Sequence, residues 1–250
     1  GKQTFAFVNA LTGSTEQWEA GIAPALRDHG YGTLSYNFRG QVNTAFTADD
    51  PLDEAQIIAD LKTVLEARAS DSTILVGLSI GGLLAARAIL SGSPAVGLVL
   101  INTLRQPDLT LEWTNEAIYR AARLGGSQLV MDMFLPGLVG PKKLSELRAN
   151  CLGDADYEPL PKDSGILRLI EKSRATGWDL PYEKLNLPVL VMTGLRDRVF
   201  LNRDVVSNLV ERLPKPYHVE FPEAGHLIPA EDPDAVVDVL KRFAEDLSRN

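Results

Sequence analysis

Leu75-Val76-Gly77-Leu78-Ser79-Ile80-Gly81-Gly82-Leu83-Leu84-Ala85-Ala86 is the stretch on which the reading of this 250-residue chain turns. The apolar run from Thr73 to Leu78 has the length and composition of a buried strand. It stops at one serine, and a helix-period pattern follows at once, predicted over 81–91. Glycines stand two residues before Ser79 and two after it, with Gly82 beside them. This is the G-x-S-x-G spacing of a serine on a tight strand-to-helix turn. Such a turn strains the serine backbone, and flanking side chains would collide across it, which is why glycines are wanted there. The strain lifts Oγ above the end of the sheet, and the amide of Ile80, at the helix N-terminus, is aimed where negative charge would develop. The five-residue pattern alone is weak evidence. The strand before it and the helix after it supply the context that the pattern requires.

Outward from this turn, strands and helices alternate. Residues 4–9 and 33–38 read as strands, the second closed by Arg39-Gly40. Between them, 17–29 reads as one helix with Trp18, Ile22, Ala25 and Leu26 on a single face and Gly30 as its C-terminal cap. A helix over 51–69 buries Ile57, Ile58, Leu61, Val64 and Leu65. The strand 96–102 follows the serine helix, and the pattern resumes with strand 189–193, helix 202–213, strand 217–221 and a last helix over 233–247. Asp232 is placed to cap that helix, with Pro233 in its first turn. The expectation is an α/β fold, a mostly parallel sheet of about six strands flanked by helices. From 103 to 182 the strand pattern disappears, and helices are predicted over 112–124, 127–134, 141–151 and 164–176, punctuated by Pro136, Pro141, Pro159 and Pro161. The expected division is a core of residues 1–104 and 182–250 with a helical cap inserted at 105–181. An ordinary long crossover is the alternative.

Composition narrows the function classes. An apolar fraction of 45% and a charged fraction of 23% are those of a soluble globular protein. A net charge of -8 argues against nucleic acid and anionic membrane as partners and leaves a small-molecule substrate. No apolar run approaches the ~20 residues of a membrane span, and no signal-peptide pattern opens the sequence. The single Cys151 excludes an internal disulfide and is expected to be structural; a cytoplasmic location is the expectation. The histidines are His29, His218 and His226, with no H-E-x-x-H and no Cys/His cluster, so no metal site is expected. No G-x-G-x-x-G follows a strand and no phosphate-binding G-x-x-x-x-G-K-[ST] occurs, so no nucleotide cofactor is expected either.

A serine is a weak nucleophile until a base stands within hydrogen-bond reach. His226, in Pro222-Glu223-Ala224-Gly225-His226-Leu227, follows the last strand in a loop, and a parallel sheet brings such loops to the edge where Ser79 lies. His218 alternates within a strand, and His29 sits at a helix C-terminus where its charge suits the dipole. The base needs an acid to fix its tautomer, and Asp197 in Gly194-Leu195-Arg196-Asp197-Arg198 follows a strand directly. Its competing role is to pair with Arg196 or Arg198 or to cap a turn. Asp179 lies before that strand and Asp204 inside the next helix, both less well placed. The loop Asn9-Ala10-Leu11-Thr12-Gly13 is the natural source of a second oxyanion donor, with the Leu11 amide beside that of Ile80.

With Gly77-Leu78-Ser79-Ile80-Gly81-Gly82, the acid loop at Gly194–Asp197, Gly225-His226 before Glu231-Asp232-Pro233, and the Asn37-Phe38-Arg39-Gly40 turn, the chain resembles α/β-hydrolase-fold enzymes over nearly its whole length. It is similar to their capped, single-domain type, which includes carboxylesterases, enol-lactonases and carbon–carbon bond hydrolases. The order Ser79, Asp197, His226 is that of this fold. The resemblance implies a serine hydrolase that cleaves an ester or lactone of a small, largely apolar substrate through an acyl-enzyme, with the cap shaping the pocket. A carbon–carbon bond hydrolase, a thioesterase or acyl transferase, and a slow-turnover ligand receptor are the alternatives. Trp113, Ile118, Leu129, Met131, Met133, Phe134 and Leu138 are the cap residues expected either to line an acyl pocket or to serve in packing. Two departures stand out: Asn9-Ala10-Leu11 replaces the family's common His-Gly-x loop, and the two strands with which the family usually starts are absent.

Overall fold

Continuous apolar runs form the centre of the sheet. In the computed structural model, which describes residues 2–42 and 44–249 and leaves Gly1, Asn43 and Asn250 outside, six strands pair in parallel throughout. They are β1 (Thr4–Val8), β2 (Gly32–Ser35), β3 (Thr73–Leu78), β4 (Gly97–Ile101), β5 (Val189–Gly194) and β6 (Pro216–Phe221), in the spatial order β2-β1-β3-β4-β5-β6. β3, β4 and β5 are buried at every residue. Side chains alternate strictly between two layers. Leu75, Leu98, Leu100, Val189 and Val191 join one core cluster, and Ile74, Val76, Val99, Ile101, Leu190 and Met192 join the other. Each such side chain contributes roughly 1.5–3 kcal/mol by leaving water, so the register of the central strands is fixed from both faces at once.

The helices are α1 (Glu16–Glu19), α2 (Ile22–Asp28), α3 (Glu54–Arg68), α4 (Ile80–Leu90), α5 (Leu109–Leu138), α6 (Pro141–Leu147), α7 (Gly165–Ser173), α8 (Arg203–Glu211), α9 (Ile228–Glu231) and α10 (Pro233–Arg249). α3, α4 and α8 cover one face of the sheet, and α1, α2 and α10 the other. Asp53 caps α3 through the Gln56 amide, and Asn202 caps α8 through that of Val205. Leu78 pairs with Ile101, Ile101 with Met192, and Gly194 with Phe221, so the C-terminal ends of β3 to β6 form one edge.

Between β4 and β5 the described residues contain no strand, only α5, α6, α7 and short turns. α5 is broken at Gly125 and Gly126, where the sequence predicts two helices; Gly126 takes φ 68°, and a side chain there would collide with the Glu158 carbonyl. Elsewhere the structure corrects the expected boundaries. The predicted helix over 17–29 is α1 and α2, separated at Gly21, whose φ of -167° and ψ of -49° are not helical. The predicted helix over 141–151 ends at Leu147, so that Cys151 follows it and packs against Leu135 and Val139. The strand predicted over 33–38 stops at Ser35, because the chain then turns toward the β1 loop: Asn9 Nδ2 donates to the Tyr36 carbonyl and to Asn37 Oδ1. Trp113, Met131 and Met133 do not line an interior pocket. They are exposed, Trp113 with 76% of its surface in solvent. Ile118 and Leu138 instead join two small clusters beneath it. Among the described residues no helix is long and apolar enough to cross a membrane.

Candidate active site

Ser79 stands between β3 and α4 with φ 57° and ψ -123°, a backbone conformation that costs on the order of 1–3 kcal/mol for a residue other than glycine. The surroundings hold it there. Its amide donates to the Ile101 carbonyl at 2.8 Å, and its carbonyl accepts from Thr103 Oγ1 at 2.9 Å. Side chains at Gly77 and Gly81 would run into backbone, the first into α4 and the second into the carbonyls of Val8 and Asn9.

At the neighbouring strand ends the structure brings Asp197 and His226 together. His226 Nδ1 lies 2.7 Å from Asp197 Oδ2, and both residues are buried, at 5% and 4% exposure. The other carboxylate oxygen accepts from the amides of Val199 at 3.0 Å and Phe200 at 2.9 Å. Burial alone would raise the Asp197 carboxyl. The hydrogen bond and charge of His226, with the two amides, outweigh that and hold it below the ordinary carboxylate range. Arg196 pairs with Glu223 instead, at 3.0 Å, so the competing pairing with Asp197 is not made. His29 caps its own helix through the Ala25 carbonyl, and His218 meets Thr193 Oγ1 on the sheet; neither belongs to the site.

The His226 loop is tied from three directions. The Glu231 carboxylate accepts from the amides of Gly225, Leu227 and Gly140. The His226 amide donates to the Leu138 carbonyl at 2.5 Å and the Arg198 amide to that of Gly137 at 2.7 Å, so the end of α5 holds both the His226 loop and the Asp197 loop. Asn102, at φ 47° just past β4, donates to the carbonyls of Gly225 and His226 and accepts from the Gly194 amide at 2.8 Å. The sequence reading ended a strand at Asn102 without assigning it this position.

The loop that follows β1 is anchored by side chains. Gln41 Nε2 donates to the carbonyls of Ala10 and Leu11, while Gln41 Oε1 accepts from Asn9 Nδ2 and the Phe38 amide. Asn9 Oδ1 in turn accepts from Trp18 Nε1 at 2.8 Å. Leu11 and Ile80 line one small hollow with Leu84 and Leu169, which sets the loop opposite the N-terminus of α4.

Sequence reasoning missed Arg105. Its Nη2 donates to Ser79 Oγ at 2.9 Å and lies 3.5 Å from His226 Nε2, between the serine and the imidazole. Among the described residues Ser79 Oγ makes no direct hydrogen bond to His226. The Arg105 guanidinium is sandwiched between the rings of Trp178 and Phe200, at 4.5 and 4.0 Å. Burial pulls it down to about 10, against the opposing charge of Asp197. The signal was present: an arginine four residues beyond an entirely apolar strand, at the sheet edge that carries Ser79. Among the described residues no cluster of His, Cys, Asp and Glu is arranged to hold a metal ion.

Solved structures with this fold include an alpha/beta hydrolase enzyme from a Medee basin deep-sea metagenome library, with a TM-score of 0.80 at 17% identity, covering 97% of this chain and 89% of that one. An esterase from Exiguobacterium antarcticum superposes with a TM-score of 0.79 at 16% identity, covering 97% and 92%. The enol-lactonase from Burkholderia xenovorans does so at 0.77 and 19% identity, covering 97% and 91%. Among curated proteins none matches the sequence significantly. The profile of the alpha/beta hydrolase family matches residues 5–239, and with the parallel sheet and the strained serine turn this establishes that the chain belongs to that family.

Proposed function

We propose that the chain is a serine hydrolase that cleaves a carboxylic ester or lactone through an acyl-enzyme. The observation that carries the reading is the buried 2.7 Å pair of Asp197 and His226 beside a serine held at φ 57°. Ser79 Oγ attacks the carbonyl carbon while His226 Nε2 takes its proton. Asp197, ionised and bonded to Nδ1, fixes the tautomer and stabilises the imidazolium. The amides of Ile80 and Leu11 receive the oxyanion. The imidazolium protonates the leaving oxygen as the C–O bond breaks, and His226 then activates water to release the acid. The helical segment over the sheet edge acts as the cap. The cleft that Arg105 lines sets Leu104, Leu111, Val199, Phe200 and Leu201 beside three arginines, which supports a small, largely apolar ester or lactone.

Reaction with a fluorophosphonate, read by intact mass and peptide mapping, tests this. Stoichiometric labelling at Ser79 that largely disappears in His226→Ala is the expected result. A folded wild-type protein that is not labelled, and turns over neither esters nor lactones, would overturn the reading.

A further inference from the structure

A buried guanidinium needs an anion, and Arg105 has none of its own. The residue is only 6% exposed, and its Nε has no partner. Among the described residues no carboxylate forms a salt bridge with it. Asp197, which acts on its charge, is already engaged by His226 and two amides. Burying a cation without a counter-charge is costly, and two aromatic faces offset only part of that cost. The Trp178 indole N–H and the Tyr182 hydroxyl, both around Arg105, are also buried without partners. On its far side Arg105 lines a cleft of about 400 Å³. The other charged walls are Arg198, Arg203 and Asp108, and Asp108 is occupied in capping α5 through the Leu111 amide. In a chain of net charge -8 this is a locally cationic surface, suited to an anionic ligand.

We propose that Arg105 is the receptor for a carboxylate carried by the substrate, and that the preferred substrates are carboxylate-bearing esters or lactones. The inference rests on the serine-hydrolase reading and names its substrate class. It also assigns Arg105 a gating role. As the side chains stand, Nη2 donates to the Ser79 oxygen that must attack the carbonyl and lies 3.5 Å from the His226 Nε2 that must take the proton. A substrate carboxylate engaging the guanidinium fork draws Nη2 onto itself. Ser79 Oγ–H is then free to donate to His226 Nε2. The bound carboxylate also cancels the positive charge beside which the imidazolium must form. Acylation proceeds with the proton passing from Oγ to Nε2 and on to the departing oxygen, so the carboxylate is a binding handle and is not consumed.

The test compares p-nitrophenyl butyrate with p-nitrophenyl hydrogen succinate, and methyl butyrate with carboxymethyl butyrate, using the full chain. The wild type should favour at least one carboxylated member by about 30-fold or more in kcat/KM. Arg105→Met should lose that preference and turn over the neutral esters faster, and Arg105→Lys should keep part of the preference. A second readout needs no turnover: succinate should raise the Tm of Ser79→Ala but not that of Ser79→Ala with Arg105→Met. Equal kcat/KM for neutral and carboxylated esters, in a wild type that is labelled at Ser79, overturns the inference and leaves the serine-hydrolase reading standing. Absence of both labelling and turnover removes both. If Arg105→Met does not fold, the wild-type substrate ratio and the lysine variant decide.

Discussion

Every residue of β3, β4 and β5 is buried, whereas α5 buries only Leu111, Ala121, Ala122, Gly125, Gly126 and Leu135 and leaves Trp113, Leu124 and Met133 largely in solvent. The sheet is packed from two sides by clusters that run along its strands; the helical segment reaches one of these through Leu111, Leu169, Trp178 and Leu180 and otherwise packs in two small clusters built around Ala122 and Leu135. The two regions meet at the site. Ser79 and the loops of Asp197 and His226 spring from the sheet, where strained geometry can be held because the surroundings over-determine it. The helical segment is tied to those loops through the carbonyls of Gly137 and Leu138. The difference is between a sheet edge fixed from both faces and a segment whose long first helix leaves much of its surface in solvent.

Four substitutions would break or sharpen that contrast. The largest effect is expected at the rigid edge: Asp197→Asn should lower kcat by about 10⁴-fold, through loss of the correct histidine tautomer. It also has a pH signature. The folded-state carboxyl is held below its ordinary value, so its ionised form contributes stability above the unfolded value of roughly 3.9. That contribution is lost as the pH falls through the folded value. The gap in Tm between wild type and variant should therefore be widest near neutrality and close only below about pH 4; a gap that persists undiminished to about pH 2 would contradict it. Leu100→Ala, in the middle of β4, should cost about 2–5 kcal/mol in denaturant unfolding, because the cavity cannot collapse between two packed layers. In the helical segment, Gly126→Ala should cost about 1–3 kcal/mol, from the left-handed backbone and the Glu158 carbonyl against it. Met133→Ser should change stability by no more than about 0.5 kcal/mol. A larger loss at Met133 would mean that the exposed face of α5 is covered in solution.

The sheet was legible in the sequence for the reason that makes it rigid. Uninterrupted runs such as 73–78 and 189–193 can only be buried, and Gly77-Leu78-Ser79-Ile80-Gly81 permits few backbone paths. Asp197 and His226 were readable as loop residues directly after strands, since a parallel sheet gathers such loops at one edge. The helical segment was less legible because 3.6-residue periodicity gives the direction of an apolar face without saying whether anything lies against it. Trp113, Met131 and Met133 have the pattern of a lining and are exposed. Arg105 left no periodic trace at all. Its meaning depends on Trp178 and Phe200, brought to it from two distant stretches of chain, and Asn102 likewise acts on residues more than ninety positions away.

The carbonyls of Gly137 and Leu138 end on the amides of Arg198 and His226, and this bears on how the insertion can be exchanged. Grafting another helical segment at the ends of β4 and β5 would remove the acceptors that seat the loops of Asp197 and His226. A chimaera that keeps residues 136–140 preserves the placement of those two loops; one that replaces them must rebuild it from nothing. The insertion is separable from this protein only up to its last helical turn.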